Sequence, residues 1–297
     1  MSGPVAASLA PSSLGGQAHP RSGLGHPAAP PPLAVPVFDA HTHLDAMAHR
    51  AGTAADDAFV SDVLRDARGV GVARVITVGD TVASSRWCTA AANAHPEVYA
   101  AVAVHPTEIT GMTDDDYATL AELAQDPRVV AIGETGLDYY WDRTEPGAQQ
   151  DHFRRHIALA KAAGKPLMIH DRDAHADILR ILREEGAPDR VVFHAFSGDA
   201  EMARDCAEDG YVLSFPGVLT FKNAPALREA AAVVPIDQLL VETDAPFLTP
   251  HPFRGRPNAP RLLPLTVRAL AEAGGHDLDE LCAAVTATGA RVFGLPA

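Results

Sequence analysis

Apolar residues along this chain fall into short runs separated by longer stretches of helical periodicity. From Val37 onward eight such runs can be read: VFDAH, ARVITVGD, VYAAVAVHP, VVAIGETGLD, PLMIHDR, RVVFHAFSG, YVLSFPG and LLVETDAP. Several are apolar at successive positions instead of alternating, which fits strands buried on both faces of a parallel sheet. They end near residues 41, 80, 105, 134, 170, 194, 214 and 244, and successive ends are 20–39 residues apart. Each interval holds one crossover helix, as a right-handed βαβ unit requires. Two of the helices are punctuated clearly. EPGAQQDHFRRHIALAKAAG has Pro146 near its first turn and Gly164 at its end, and GDAEMARDCAEDG ends at Gly210. Eight βα units in about 260 residues predict an α/β fold of the (β/α)8 TIM-barrel type. A doubly wound open sheet is the alternative, but it usually carries a glycine-rich turn after its first strand, where this chain has HTHLDA.

Composition changes this picture at one end. Residues 1–35 are rich in Pro, Gly, Ala and Ser, as in HPAAPPPLAVP, and have no periodicity. They predict a disordered extension, leaving residues 36–297 as a single domain. Hydrophobic residues make up 47% of the 297, enough for a full-sized core. No apolar run approaches the roughly 20 residues of a membrane helix. No basic region followed by an apolar stretch opens the chain, so the expectation is a cytoplasmic protein. Cys88, Cys206 and Cys282 lie far apart without C-x-x-C spacing and read as reduced thiols. The formal net charge of −14 argues against a broad basic surface that coats duplex nucleic acid. It leaves room for a nucleic-acid substrate in a small cationic cleft.

In a (β/α)8 barrel, catalytic groups collect at the C-terminal ends of the strands. Those ends carry His41 and His43 after the first run, His105 after the third and Glu134 after the fourth. His170 follows the fifth, His194 the sixth and Asp244 the eighth. In an extended segment residues i and i+2 share a face, so His41 and His43 converge on one spot. Any one of these residues could be a hydrogen-bonded structural group, but seven in register point to a metal site. Imidazole suits zinc, manganese, iron or cobalt, and carboxylates also accept magnesium. Without cysteine ligands a closed structural zinc site is not expected. Six candidate ligands, His41, His43, Glu134, His170, His194 and Asp244, exceed one tetrahedral ion and suit two ions sharing a bridge. Glu134 could be that bridge. No lysine stands at a strand end to serve instead: Lys161, Lys165 and Lys222 lie elsewhere.

The segments FDAHTHLD, VAVHP, IGETGLDYY, MIHDRDA, FHAFSG, LTFKNA and LVETDAPFL resemble, in order, the signature segments of the TatD family of metal-dependent deoxyribonucleases. The resemblance runs from about residue 37 to 296 and implies an amidohydrolase-like barrel with two divalent metals (Mg, Mn or Zn). His41, His43, Glu134 and Asp244 would surround the first, and Glu134, His170 and His194 the second. After the eighth strand this chain reads HPFRGRPNAP, with Phe253 and Ala259 where the family commonly has histidine and glutamate. Both positions fall on the rim, where substrate contacts are made.

The implied reaction is hydrolysis of DNA phosphodiester bonds by a two-metal-activated water, on single-stranded or frayed ends. Asp244 would orient that water and take its proton, with Glu134 as its catalytic partner. His105, Arg172 and Lys222 are the expected substrate contacts, and Arg254 and Arg256 are further cationic candidates. Tyr139, Tyr140, Trp141, Phe196 and Phe221 could stack bases. No feature points to an obligatory protein partner. A different hydrolase acting on an ester, lactone or amide is the alternative, because two metals do not choose between phosphorus and carbon centres.

Overall fold

The eight apolar runs are the eight strands. The computed structural model describes residues 27–296. In chain order the elements are β1 (Val37–Thr42), α1 (Leu44–Ala51), α2 (Asp57–Arg68), β2 (Val72–Val78), α3 (Val82–Ala94), β3 (Val98–Val102), α4 (Asp114–Leu123) and β4 (Val129–Asp138). There follow α5 (Pro146–Ala163), β5 (Leu167–Arg172), α6 (His175–Glu185), β6 (Val191–Phe193), α7 (Ala200–Glu208), β7 (Val212–Phe215), α8 (Pro225–Val233), β8 (Leu239–Val241), α9 (Leu263–Gly274) and α10 (Leu278–Phe293). All strands pair in parallel in sequential order, with the helices outside, so the fold is a (β/α)8 barrel. The last seam closes at the mouth. The Asp244 N–H donates to the His41 carbonyl at 2.9 Å, and the His43 N–H donates to the Ala245 carbonyl at 2.7 Å. Pro146 opens α5 and Gly164, with φ 62°, closes it, as its sequence predicts.

Two apolar layers hold the barrel. One lies between strands and helices. The other fills the barrel interior at the N-terminal ends of the strands, where Phe38, Ile76, Tyr99, Met168, Val192 and Leu240 meet Phe293 and Leu295 from the chain's end. Phe38 and Phe293 pack edge to face with ring centroids 6.3 Å apart. All three cysteines are free and buried. No helix among the described residues is long and apolar enough to cross a membrane.

The proline-rich extension expected over residues 1–35 lies outside the described residues as far as residue 26. Residues 27–35 are placed, and they lie against the barrel. Leu33 is buried and its N–H donates to the Val70 carbonyl at 3.0 Å. Arg268 donates to the carbonyls of Pro31 and Pro32, and Arg261 to that of Pro27.

Candidate metal centre at the barrel mouth

Alternation along β5 and β6 runs straight from the apolar floor to the mouth, from Met168 to His170 and from Val192 to His194. On β1 and β4 the alternation is broken. The pairing register shifts between Asp39 and Thr42, and again between Ile132 and Thr135, and these irregularities re-aim His41 and Glu134. Glu134 therefore sits within β4, which runs on to Asp138, and not at its end. Glycines on either side make its position possible. A Cβ on Gly133 would come within 2.5 Å of the Met168 Cβ, and one on Gly136 within 2.0 Å of the His170 carbonyl oxygen. Only a strand without side chains at those two positions can pass β5 so closely.

Glu134 stands at the centre of the ligand set. Its Oε1 lies 3.6 Å from Nε2 of His41 and 3.4 Å from Nε2 of His43. Its Oε2 lies 2.8 Å from Nε2 of His194 and 3.3 Å from Nδ1 of His170. Oδ1 of Asp244 completes the first group, 3.8 and 3.5 Å from the same His41 and His43 nitrogens. Asp244 reaches this place from a left-handed backbone conformation, φ 53°, which aspartate tolerates better than most residues. All six predicted ligands are thus brought together, five of them buried and His170 partly so.

The donor set fits divalent metal. Two ligand atoms each about 2.1 Å from a tetrahedral ion lie about 3.4 Å apart, which is the spacing seen here. The Nε2 atoms of His41 and His43 approach to 3.1 Å, while Nδ1 of His43 is engaged by the Val78 carbonyl at 2.9 Å. With Nδ1 so engaged, His43 would offer Nε2 to a bound ion. His194 would do the same, since its Nδ1 is held by Oε1 of Glu242 at 3.0 Å. His170 reverses the ring: Nε2 meets Oδ2 of Asp138 at 3.0 Å and Nδ1 faces Glu134. A second carboxylate, Asp80, stands 3.3 Å from Nδ1 of His43.

Electrostatics follow from this crowding. Burial works to raise Glu134, but the charges of His194 and His41, with hydrogen bonds from His170 and His194, hold it well below the usual carboxylate range. Burial works to lower His170, yet hydrogen bonds to Asp138 and Glu134 bring it up to about 9. His194 is likewise raised, against burial, by Glu242 and Glu134. Asp80 is pushed up to about 7 by burial, with His43 acting in the opposite sense. Such a pocket attracts positive charge, and a divalent ion supplies it more compactly than protons spread over several rings.

A cleft of about 510 Å³ opens above these groups. His105 and Arg172 line it, as do Trp141 and Arg143. His105 accepts from the Thr107 N–H at Nδ1, 3.2 Å, so Nε2 carries its proton. Burial and the neighbouring His170 charge push His105 down to about 3, which keeps it neutral. The Arg172 guanidinium lies over Tyr140, 3.9 Å from the ring centroid, and 5.7 Å from that of Trp141. Lys222 is not part of the cleft lining; it is exposed on the loop after the short 3-10 turn Gly217–Thr220. Arg254 lies over Phe221, 4.7 Å from its centroid, and Arg256 over Phe253. Phe196 is buried in the outer apolar layer and also reaches the cleft. Tyr139 bonds to Asp177 instead of facing the site.

Sequence reasoning missed Asp80, Asp138 and Glu242. Asp80 ends the second apolar run, and Glu242 stands two residues before Asp244, in step with the inward-facing Leu240. Both were readable as inward carboxylates. Asp138 lies beyond the end that the apolar run predicts for β4, near Glu134, and the strand's last four residues carry it to the site.

Comparison with known proteins agrees with the geometry. The family model described as TatD related DNase matches residues 38–294. The chain is 50% identical over 264 residues to the uncharacterized metal-dependent hydrolase TatD of Mycobacterium tuberculosis, covering 87% of this chain and 98% of that protein. It is 32% identical over 240 residues to the 3'-5' ssDNA/RNA exonuclease TatD of Erwinia tasmaniensis, covering 78% of this chain and 93% of that one. Among solved structures, YJJV, a TatD homolog from Escherichia coli K12, superposes with a TM-score of 0.80 at 28% identity, covering 88% of this chain and 98% of that chain. With an eight-stranded barrel, a histidine and carboxylate cluster at its mouth and a family match over nearly all of the described residues, the chain belongs to the TatD related DNase family.

Proposed function

We propose that the protein is a cytoplasmic metal-dependent hydrolase that cleaves DNA phosphodiester bonds, working from single-stranded or frayed ends. The observation that carries this reading is Glu134, whose two oxygens each face a separate pair of imidazoles. That arrangement suits a carboxylate shared by two ions, with His41, His43 and Asp244 on one side and His170 and His194 on the other. Bound Mg, Mn or Zn would supply Lewis acidity at a phosphate oxygen and a water of lowered pKa. Asp244 orients the attacking water and accepts its proton on a carboxylate oxygen. His105 donates its neutral Nε2–H to a phosphate oxygen. Arg172, braced on Tyr140, gives a guanidinium to the phosphate and a flat edge against which a base can lie. Lys222, exposed on the rim, is left to phosphates farther along a strand. The exonuclease name carried by the Erwinia relative supports a nucleic-acid substrate for this chain.

One observation favours a second reading. Phe196, Val218, Leu227, Phe247 and Leu248 form an apolar wall of the cleft, which also suits a small ester or lactone. One preparation, freed of metal and then reloaded, should be assayed on labelled single-stranded DNA, on RNA and on a lactone panel. Metal-dependent release of nucleotides from single-stranded DNA is the expected result. Lactone turnover with intact DNA would replace this reading by the second.

A further inference from the structure

The four imidazoles of the cluster are not held alike. When an imidazole gives one nitrogen to a metal, the other carries a hydrogen that needs an acceptor, and that acceptor fixes the ring and strengthens it as a ligand. His170 has Oδ2 of Asp138 at 3.0 Å, and His194 has Oε1 of Glu242 at 3.0 Å. His43 has the Val78 carbonyl at 2.9 Å, with Oδ1 of Asp80 at 3.3 Å. His41 has nothing: its Nδ1 is buried without a hydrogen-bond partner among the described residues. The His41 ring is held by packing, stacked on His194 with centroids 3.7 Å apart and planes 18° from parallel.

The braces are themselves held. Oε1 of Glu242 also accepts from the Ala195 N–H at 2.8 Å, tying it to the strained turn, φ 42°, that follows His194. Oδ1 of Asp138 accepts from the N–H groups of Tyr140 and Trp141, both at 3.1 Å. Both carboxylates are almost wholly buried, so neither can turn away to solvent.

We propose that the two metal positions are unequal: the one between Glu134, His170 and His194 fills first, and the one between His41, His43 and Asp244 fills second and more weakly. The inference rests on the two-metal reading above. It makes Asp138 and Glu242 positioning residues for the tight position. A bound ion at the weak position requires His41 to hold a buried N–H with no acceptor, a cost that the braced rings avoid. Loss of such a partner typically weakens metal binding by about 10–100-fold, which sets the expected gap between the two positions.

The test titrates the full-length, metal-free protein with Mn2+ and follows the spin-resonance signal of free Mn2+. Two ions per chain should bind in steps at least roughly tenfold apart in Kd. Asp244→Asn should weaken the second step and spare the first. Asp138→Asn should weaken the first by about 10–100-fold, because an amide hydrogen replaces the acceptor facing Nε2 of His170. Glu242→Met, which removes the oxygen facing Nδ1 of His194, should act in the same direction, so the proposal is still tested if one variant unfolds in a circular-dichroism melt. Two steps of equal affinity, a single ion per chain, or a first step removed by Asp244→Asn would each overturn the proposal. Cleavage is not read in this experiment. Ordered Mn2+ binding by a protein that leaves DNA intact would count against the nuclease reading and not against this one.

Discussion

The floor and the mouth of the barrel are built from the same strands and have opposite chemistry. At the floor Phe38, Ile76, Met168, Val192 and Leu240 close an apolar layer against Phe293 and Leu295 from the end of the chain. Two residues farther along three of these strands stand His170, His194 and Glu242, all polar and largely buried. Burying such groups opposes folding unless each is paired, and paired groups contribute little net stability. The floor therefore supplies stability that the mouth uses. Damage at one end should leave the other measurably intact.

The largest expected effect is at the mouth. Asp244→Asn keeps size and one oxygen but cannot accept a proton. Cleavage of single-stranded DNA should fall by about 10²–10⁴ in kcat, with little change in KM. Its thermal midpoint should stay level or rise, because one member of a crowded carboxylate group becomes neutral. Near-normal single-turnover cleavage in a sample with full metal content would remove Asp244 from proton transfer.

Phe38→Ala is the counterpart at the floor. The ring is buried and meets Phe293 edge to face. Removing it should cost about 3–5 kcal/mol of stability. Metal content and kcat of the folded fraction should be unchanged. A variant that lost metal before it lost stability would show that the two ends are coupled.

Histidines sharpen the same contrast. His170 has carboxylate partners and is raised to about 9. His156 lies in the wall on α5 with no carboxylate: Nδ1 donates to the His152 carbonyl at 2.8 Å, and Nε2 accepts from the Val104 N–H at 3.3 Å. Burial, the dominant cause, pushes it down to about 4. The fold binds neutral His156, so its contribution is complete above pH 6.5 and is lost as pH falls from there toward 4. A depression of this size corresponds to about 3 kcal/mol at the acid end of that window. His156→Gln should flatten the wild-type loss of stability between pH 6.5 and 4, measured by urea unfolding. An unchanged acid slope would show that His156 is not its source.

How much of this was legible depended on whether alternation survived along each strand. His170 and His194 continue the inward phase of Met168 and Val192, so run and residue type sufficed. His41 and Glu134 lie at register shifts, where strand phase gives no guide: Glu134 is legible only as a polar residue ending an apolar run, and His41 through its i, i+2 spacing to His43. The two glycines beside Glu134 were visible in GETG, but the need for them arises from β5, which sequence spacing does not place at contact distance. The braces were unreadable for a related reason. Asp80, Asp138 and Glu242 matter through the far side of a ring, and which side faces outward is decided in three dimensions. Lys222 was placed by loop membership alone, and a βα loop is long enough to hold a side chain outside the cleft.

The smallest expected effect concerns the segment before β1. Composition assigned residues 1–35 to disorder because Pro, Ala and Gly bury little. For HPAAPPPLAVP the same prolines work in the other direction. Pro27, Pro30, Pro31 and Pro32 have φ fixed before folding, so ordering residues 27–35 costs less than for an ordinary chain of that length. The opposing contributions are modest but sufficient. Burying Leu33 is worth about 1.5–3 kcal/mol, and the Leu33 N–H and the Arg268 contacts add to it. The net should be about 1 kcal/mol, because conformational entropy still takes most of the gain. A chain beginning at Pro27 should match the full-length thermal midpoint, whereas one beginning at Pro36 should melt about 2–4 °C lower with unchanged metal content. Leu33→Ala in the full chain should reproduce most of that shift. Equal midpoints for the Pro27 and Pro36 chains would mean that the burial of Leu33 and its hydrogen bond to the Val70 carbonyl only balance the cost of ordering the segment, and that the domain begins, in energetic terms, at β1.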